Sequence, residues 1–321
     1  MLAPFKKLDP LIVLIVLAVI VAIIAPARGW FADWFAVATN LAIALLFFLY
    51  GARLSTRDAL QGLTHWRLHS TILAATFLVY PLIGLALGPL LTMFITDDLY
   101  RGILFLTLVP STVQSSVAFT SIAKGNVAGA IVAASVSSLV GVVTTPVLVM
   151  LLMGQGDGIS VDAQVFIDIA LLLLLPFVLG QIFRRWVKDF AKAKGTKIVD
   201  RGSITMVVYS VFSSGMVSGV WSEVAVWEIV FLIGFSIVLV LAMLWLTRTA
   251  SQALGFSTRD VRAIEFCGSK KSLATGLPMA TVIFGGASLG LLILPLMIYH
   301  QVQLMICSWL AARYGKQAQD H

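Results

Sequence analysis

Glu265, Lys270 and Lys271 fall inside an apolar stretch, Ala263-Ile264-Glu265-Phe266-Cys267-Gly268-Ser269-Lys270-Lys271-Ser272-Leu273-Ala274-Thr275-Gly276-Leu277-Pro278-Met279. A carboxylate or ammonium at membrane depth costs about 3 kcal/mol on insertion scales, so such groups face a protein interior or a watery cavity and mark a path for ions or substrate. Glu265 can there coordinate a cation, carry a proton or neutralise a lysine. Neighbouring lysines on a helix point about 100° apart, so one of Lys270 and Lys271 is expected in a crevice while the other reaches backbone carbonyls or a second polar pocket. A Glu265–Lys270 pair would be either a fixed charge pair or a titrating switch. The bland alternative is that both lysines snorkel to an interface. A second polar interruption, Pro110-Ser111-Thr112-Val113-Gln114-Ser115-Ser116, offers the hydroxyls of Ser115 and Ser116 and the amide of Gln114. These groups can ligate an ion or a polar substrate group, or simply cap broken backbone. His300 and Gln303, also within an apolar segment, either line a cavity or pack through hydrogen bonds.

The elements that hold these groups are membrane helices. Hydrophobic residues make up 60% of the 321, charged residues only 12%, and soluble domains carry about twice that charge. Mean hydropathy is +0.99. Segments long enough to cross about 30 Å of hydrocarbon number about ten. They run from Leu11 to Ala25, Phe35 to Tyr50, Leu68 to Leu90, Gly102 to Ala123, Val127 to Met153, Val165 to Phe183, Ile204 to Val220, Val226 to Leu246, Val261 to Phe284 and Leu289 to Ala312. Lys/Arg placement fits a cytoplasmic N-terminus and an even number of spans, because Lys6, Lys7, Arg53, Arg57, Arg67, Lys124, Arg248, Arg259, Arg262, Arg313 and Lys316 then lie inside with the basic loop 184–201. Asp33, Asp97, Asp98, Asp157, Asp162 and Glu223 fall outside, and Asp168 lies near the outer end of the sixth span. The net charge of +7 is therefore topological, and no basic patch suggests a nucleic-acid partner. Cys267 and Cys307 read as small buried hydrophobes, and the first apolar run reads as a retained helix.

Residues 1–183 hold the first five spans and the sixth, 184–201 the basic loop, and 202–321 the remaining spans. Five spans followed by five gives two inverted repeats, an arrangement of secondary transporters. The fourth span breaks at 110–116, and the ninth breaks at Gly268-Ser269-Lys270-Lys271-Ser272 and again at Gly276-Leu277-Pro278. Unwound backbone at membrane depth must line a cavity or be buried in protein, so paired breaks point to a binding site. Each break offers free N–H groups that favour anions and free carbonyls that favour cations.

The sequence P-S-T-V-Q-S-S-V-A-F-T-S-I-A-K-G-N-V-A from Pro110, E-F-C-G-S-K-K-S-L-A-T-G-L-P-M-A from Glu265, and Phe48-Leu49-Tyr50-Gly51-Ala52-Arg53-Leu54 together resemble the bile acid:sodium symporter superfamily, and within it the SBF-like branch of bacterial sodium-dependent transporters. The resemblance implies an all-α integral membrane fold of ten transmembrane helices in two inverted five-helix repeats. A panel domain would come from spans 1, 2, 6 and 7, and a core domain from spans 3–5 and 8–10, with crossed discontinuous helices four and nine. It also implies Na+ sites behind the crossing and an organic anion between the domains. Ser115-Ser116 stand where the family has Ser-Asn, keeping hydroxyls but losing the amide. Ala130 and Ala134 replace a Ser and a Thr, for which Ser135, Ser137 or Ser138 compensate only in another register. Glu265 matches the shared glutamate, so Ser115, Ser116 and Glu265 are the implied Na+ ligands. With one extra residue before Gly268, Lys270 corresponds to a glutamine, and Thr76 to a supporting glutamine of the third helix. A lysine supplies the unit charge of a monovalent cation, so Lys270 is expected to replace one coupling ion, leaving proton coupling or uncoupled exchange.

The expected function is secondary transport of amphipathic organic anions, bile-acid-like or steroid-conjugate, across a bacterial inner membrane, with Na+ or H+ as coupling ion and no other cofactor. The candidate site is Thr76, Gln114, Ser115, Ser116, Glu265, Ser269, Lys270, Lys271 and His300. A regulatory or scaffold membrane protein with eroded sodium sites is the alternative. No phosphate-binding loop, zinc motif or nucleophile elbow is present in the sequence, so no enzyme is expected.

Overall fold

The computed structural model describes residues 10–53, 65–154, 167, 170–193, 195–284 and 289–318. Lys6, Lys7, Arg57, Asp157, Asp162, Asp168 and Lys194 lie outside the described residues. The described elements are helical. They begin with α1 (Pro10–Ile24) and α2 (Gly29–Arg53), followed by α3 (Trp66–Ala74), which passes through a π-turn (Ala75–Val79) into α4 (Tyr80–Ala86). Next come the short α5 (Gly88–Leu91), α6 (Asp97–Leu108), α7 (Val113–Ile122) and α8 (Val127–Met153). A second π-turn (Ala170–Leu174) leads into α9 (Leu175–Ile182), then α10 (Arg184–Lys192) and α11 (Thr196–Ser218). The chain ends with α12 (Val226–Ala253), α13 (Thr258–Gly268), α14 (Leu273–Ile283) and α15 (Leu289–Gln317).

Five helical stretches are long and apolar enough to cross a bilayer: Gly29–Arg53, Trp66–Ala86, Val127–Met153, Val226–Ala253 and Leu289–Gln317. The pair Asp97–Leu108 and Val113–Ile122, bent by 61°, makes six. Length and composition alone thus fall short of the ten expected spans, for identifiable reasons. α1 has 15 residues, α11 is diluted by serines, and α13 carries Arg259, Asp260, Arg262 and Glu265. The outer surface is that of a protein dissolved in lipid: Ile24 is 77% exposed, Val226 78% and Val238 66%. Water would not tolerate such a density of exposed aliphatic side chains. The protein is a multi-pass membrane protein.

The chain forms two compact units. One gathers the described residues of Met1–Leu54, Val161–Glu223 and Leu277–Gly290. In it α1 packs on α11, and α2 on both α9 and α11. Helices α2 and α9 touch backbone to backbone, because a Cβ on Gly51 would collide with the carbonyl oxygen of Phe177 and one on Gly180 with that of Phe48. Small residues at such a seam replace the hydrophobic drive that lipid does not provide. At the end of α2, Arg53 donates from Nη1 to both carboxylate oxygens of Asp200 at 2.9 and 2.8 Å, and from Nε to the Ala191 carbonyl at 2.7 Å. Burial pushes the Asp200 carboxyl above the usual carboxylate range, and Arg53 pulls it partly back.

The other unit gathers the described residues of Ser55–Ser160, Val224–Gly276 and Leu291–His321. Here α12 packs on α13, α7 on α8, and α13 on α3, α7 and α8. Leu68, Ile72, Ala130, Ala133, Ala263, Ile264 and Cys267 form a core cluster. Cys267 is therefore a packing residue, and Ala130 fills space against it.

Candidate functional site

All nine sequence-nominated residues belong to the second unit. All but Gln114, which is exposed on α7, lie around the place where the break between α6 and α7 meets the break between α13 and α14.

The first break follows from Pro110. Val109 is extended (φ −74°, ψ 154°), as the residue before proline tends to be, and Pro110 lacks the N–H that would continue α6. The chain re-enters a helix after Thr112, also extended (φ −82°, ψ 135°). Helix α8 comes close to this kink because residue 141 is glycine: a Cβ there would lie 2.6 Å from Cβ of Pro110. The freed backbone groups are nearly all accounted for. Thr145 Oγ1 donates to the Leu108 carbonyl at 2.9 Å, the Ser111 N–H goes to Ser137 Oγ at 3.2 Å, and Ser138 Oγ reaches the Ser111 carbonyl at 3.5 Å. Ser137 and Ser138 thus support the break.

The second break is tied to the first. The N–H of Ser272 donates to the Pro110 carbonyl at 2.8 Å. Ser111 Oγ donates to the Cys267 carbonyl at 2.6 Å, and Ser116 Oγ to that of Phe266 at 3.1 Å. The remaining groups are held from α4 and α15. Tyr80 and Tyr299 hydroxyls donate to the Ser269 carbonyl at 2.5 and 3.1 Å. The Gln303 amide accepts from the Lys271 N–H at 2.9 Å and donates to the Lys271 carbonyl at 2.7 Å, copying one rung of a strand pair. His300 Nδ1 lies 2.9 Å from Gln303 Nε2. Ser269 turns inward on its own helix, with Oγ donating to the Glu265 carbonyl at 2.5 Å. The expected further interruption at 276–278 is absent: α14 runs through Pro278 without a break. A second tie lies where α7 turns into α8. Asn126 donates from its N–H to the Arg259 carbonyl at 2.8 Å and from Nδ2 to Asp260 Oδ1 at 2.7 Å, while its Oδ1 caps α8 through the Gly129 N–H.

The two lysines are both wholly buried, so neither snorkels. Their ammonium groups go to different places. Lys271 Nζ donates to three backbone carbonyls, Thr76 at 2.8 Å, Thr107 at 2.7 Å and Val109 at 2.9 Å, and lies 4.2 Å from the centroid of Tyr80. Lys270 Nζ has no hydrogen-bond partner and sits 3.6 Å from the centroid of Phe119. The ammonium that stands among oxygen atoms is therefore that of Lys271, one residue beyond the position that the resemblance had nominated.

Glu265 is not hydrogen-bonded to Lys270. Its Oε1 accepts from the Tyr314 hydroxyl at 3.0 Å, and that hydroxyl is also bonded to Arg248 Nη1. The guanidinium groups of Arg248 and Arg262 lie 5.1 and 5.5 Å from the Tyr314 ring. Glu265 Oε2 and Ser115 Oγ, both buried, have no partner. Gln114 is exposed on α7, and Thr76 is buried with Oγ1 on the Ile72 carbonyl. Among the described residues no cluster of three or more His, Cys, Asp or Glu could hold a metal.

Tyr80, Tyr299 and Tyr314, which bond the Ser269 carbonyl and Glu265, are the side chains of this candidate site that sequence reading missed. Each is a single hydroxyl in an apolar helix, and the Tyr80-Pro81 pair is the one visible signal.

Comparison with known proteins places the chain in a family. The chain is 47% identical over 311 residues to the uncharacterized protein PA2026 of Pseudomonas aeruginosa, covering 95% of this chain and 92% of that one. It is 42% identical over 319 residues to a protein of Escherichia coli (strain K12) that carries the name "Putative symporter YfeH", covering 98% and 96%. Sodium/bile acid cotransporter 7 of Rattus norvegicus is 32% identical over 290 residues, covering 85% and 84%. The SBF-like CPA transporter family matches residues 9–316. A chain matched over nearly its whole length, with transporter relatives and no enzyme among those named, belongs to the SBF-like CPA transporter family.

Proposed function

We propose that the protein is a secondary transporter of amphipathic organic anions, bile-acid-like or steroid-conjugate, coupled to Na+ or H+ and working by alternating access in a bacterial inner membrane with both termini cytoplasmic. The observation that carries this reading is the crossing itself. Two helices broken at matching places hold each other's backbone through Pro110, Ser111, Cys267 and Ser272, and around them Lys270 Nζ, Ser115 Oγ and Glu265 Oε2 are buried without partners. Buried polar atoms are seldom left unpaired without a function. A cationic one suits an anion, and the oxygens of Ser115 and Glu265 each suit a cation. The names of relatives, a symporter and a sodium/bile acid cotransporter, support the same classes of ligand.

The two units support a panel of spans 1, 2, 6 and 7 and a core of spans 3–5 and 8–10, since their residues divide largely along those lines. Ten spans in two inverted repeats follow on this reading, with the shorter α1 and α9, the serine-rich α11 and the broken pair α13–α14 completing the count.

The test is thermal unfolding of purified protein with bile acids and steroid sulfates, in sodium and in choline salts, followed by uptake into proteoliposomes. The expected result is stabilisation by at least one anion that Glu265→Gln diminishes, and uptake of that anion down an imposed sodium or proton gradient. No stabilisation and no uptake with any anion would transfer the reading to a regulatory membrane protein.

A further inference from the structure

We propose that the ammonium of Lys271 is a tethered cation. It fills a carbonyl-lined site for a monovalent cation, so that this place in the crossing draws no ion from solution. The site is built from three oxygens that the fold leaves without donors. The Thr76 carbonyl is free because the π-turn shifts the Tyr80 N–H onto the Ala75 carbonyl, and the next residue, Pro81, has no N–H to give. The Thr107 carbonyl is free because its helical partner, the Ser111 N–H, is turned to Ser137 Oγ. The Val109 carbonyl lies past the end of α6 in extended chain. Two of the three therefore belong to the C-terminal end of a half-helix, where the peptide dipoles favour positive charge, and the ring of Tyr80 adds its π-face at 4.2 Å.

The match between donor and acceptors is complete. A lysine ammonium has three N–H bonds and no acceptor capacity, and Lys271 Nζ meets three carbonyls at 2.7–2.9 Å. The contacts are neutral carbonyl oxygens with no carboxylate among them. Such oxygens suit a singly charged ion, as in carbonyl-built cation filters, whereas divalent ions are usually held with carboxylates. The root of the side chain is fixed as well, because Gln303 grips both the N–H and the carbonyl of Lys271. Lys270, on the ring of Phe119 and without an acceptor, holds no comparable place. The proposal deepens the transport reading, and rests on it, only in its consequence that one fewer ion crosses per cycle. The cation site itself stands on the geometry.

The experiment uses the full chain in detergent or nanodiscs, comparing wild type with Lys271→Ala in choline, sodium, potassium and ethylammonium chlorides at equal ionic strength. The alanine variant is expected to melt several degrees below wild type in choline and to regain most of that loss in ethylammonium, sodium or potassium. The wild-type response to the same salts sets the background. An alanine variant as stable as wild type in choline, or shifted no further than wild type by any of the three cations, would overturn the proposal. If the variant does not fold in choline, its folded yield in the cation salts becomes the readout, and a yield that none of them raises overturns it equally. Both readouts are independent of transport, so cation rescue in a protein that moves no anion would sink the transport reading and leave the tethered cation standing.

Discussion

Replacing Lys270 by methionine should make the protein more stable and less able to transport. The Lys270 ammonium is wholly buried, 3.6 Å from the ring centroid of Phe119 and 6.0 Å from that of Phe266, with no hydrogen-bond partner. A buried charge stripped of its partner costs about 3–5 kcal/mol, and a desolvated aromatic face returns about 2 kcal/mol of that. The remainder, about 1–3 kcal/mol, is what an unionised side chain of similar length recovers. For a chain of this size it appears as a rise of about 2–6 °C in melting temperature. Lys271→Met is the internal control, because it leaves three buried carbonyls without a donor and should lose about 3–5 kcal/mol. Melting is followed in detergent, and uptake in proteoliposomes with the anion identified by the stabilisation screen. Uptake by Lys270→Met is expected to fall to background, since a group kept at the expense of stability is kept for another purpose. A variant that melts at or below wild type, or that transports normally, would refute the reasoning.

Three further predictions concern the first unit. The Arg53–Asp200 pair is mostly buried, with 22% and 6% of the side chains exposed. Asp200→Ala should therefore cost about 3–5 kcal/mol by stranding the arginine, whereas the double variant Arg53→Met/Asp200→Leu should lie within about 1 kcal/mol of wild type in a thermal double-mutant cycle. The pH dependence has a definite sign. Because the folded state raises the Asp200 carboxyl, this group's contribution is full below the unfolded value of about 4 and is lost as pH rises through the folded value. The double variant should show a smaller fall in stability over that interval. At the seam of α2 and α9, Gly180→Ala drives a methyl into the Phe48 carbonyl and should cost about 1–3 kcal/mol, read as a lower melting temperature with unchanged cation response. A neutral substitution would show that the two helices separate readily.

The places where the helices break were legible because Pro110 and the Gly268–Ser272 run are local features, and their physics acts within a few residues. Partnerships across the crossing were not. Gln303 looked like one polar residue in an apolar helix, although it determines the path of Lys271. The three tyrosines had no spacing that set them apart from core aromatics. The π-turn at 75–79 was hidden too: Pro81 removes a donor, but whether the helix answers by kinking or by gaining a residue depends on what waits for the freed carbonyl. Here it is Lys271 from the break between α13 and α14. That same long-range match decides which neighbouring lysine takes the oxygens, a one-residue distinction that alignment across an extra residue could not make. Pro278 shows the reverse error. A glycine and a proline close together suggested an interruption, yet the helix runs on through Pro278, its sixth residue, and forgoes one bond to the Ala274 carbonyl.

The distribution of satisfied and unsatisfied groups indicates where a ligand can act. A ligand shifts a conformational equilibrium only through groups whose interactions differ between states. At the crossing most backbone groups of the two breaks are already engaged: Pro110 with Ser272, Cys267 with Ser111, Ser269 with Tyr80 and Tyr299, and three carbonyls with Lys271. Separating the two breaks would orphan several of these at once, in lipid, where no water replaces them. The crossing is therefore expected to stay assembled through a transport cycle. Lys270 Nζ, Glu265 Oε2 and Ser115 Oγ are different, because they have no hydrogen bond to lose and one to gain. Glu265 also reaches Arg248 through the shared hydroxyl of Tyr314, which connects the carboxylate on α13 to a positive charge on α12. A cation arriving at Oε2 competes with that hydroxyl for the carboxylate. Tyr314→Phe should accordingly strengthen the cation response of the purified protein while leaving the crossing intact, and an unchanged cation response would place the ion elsewhere.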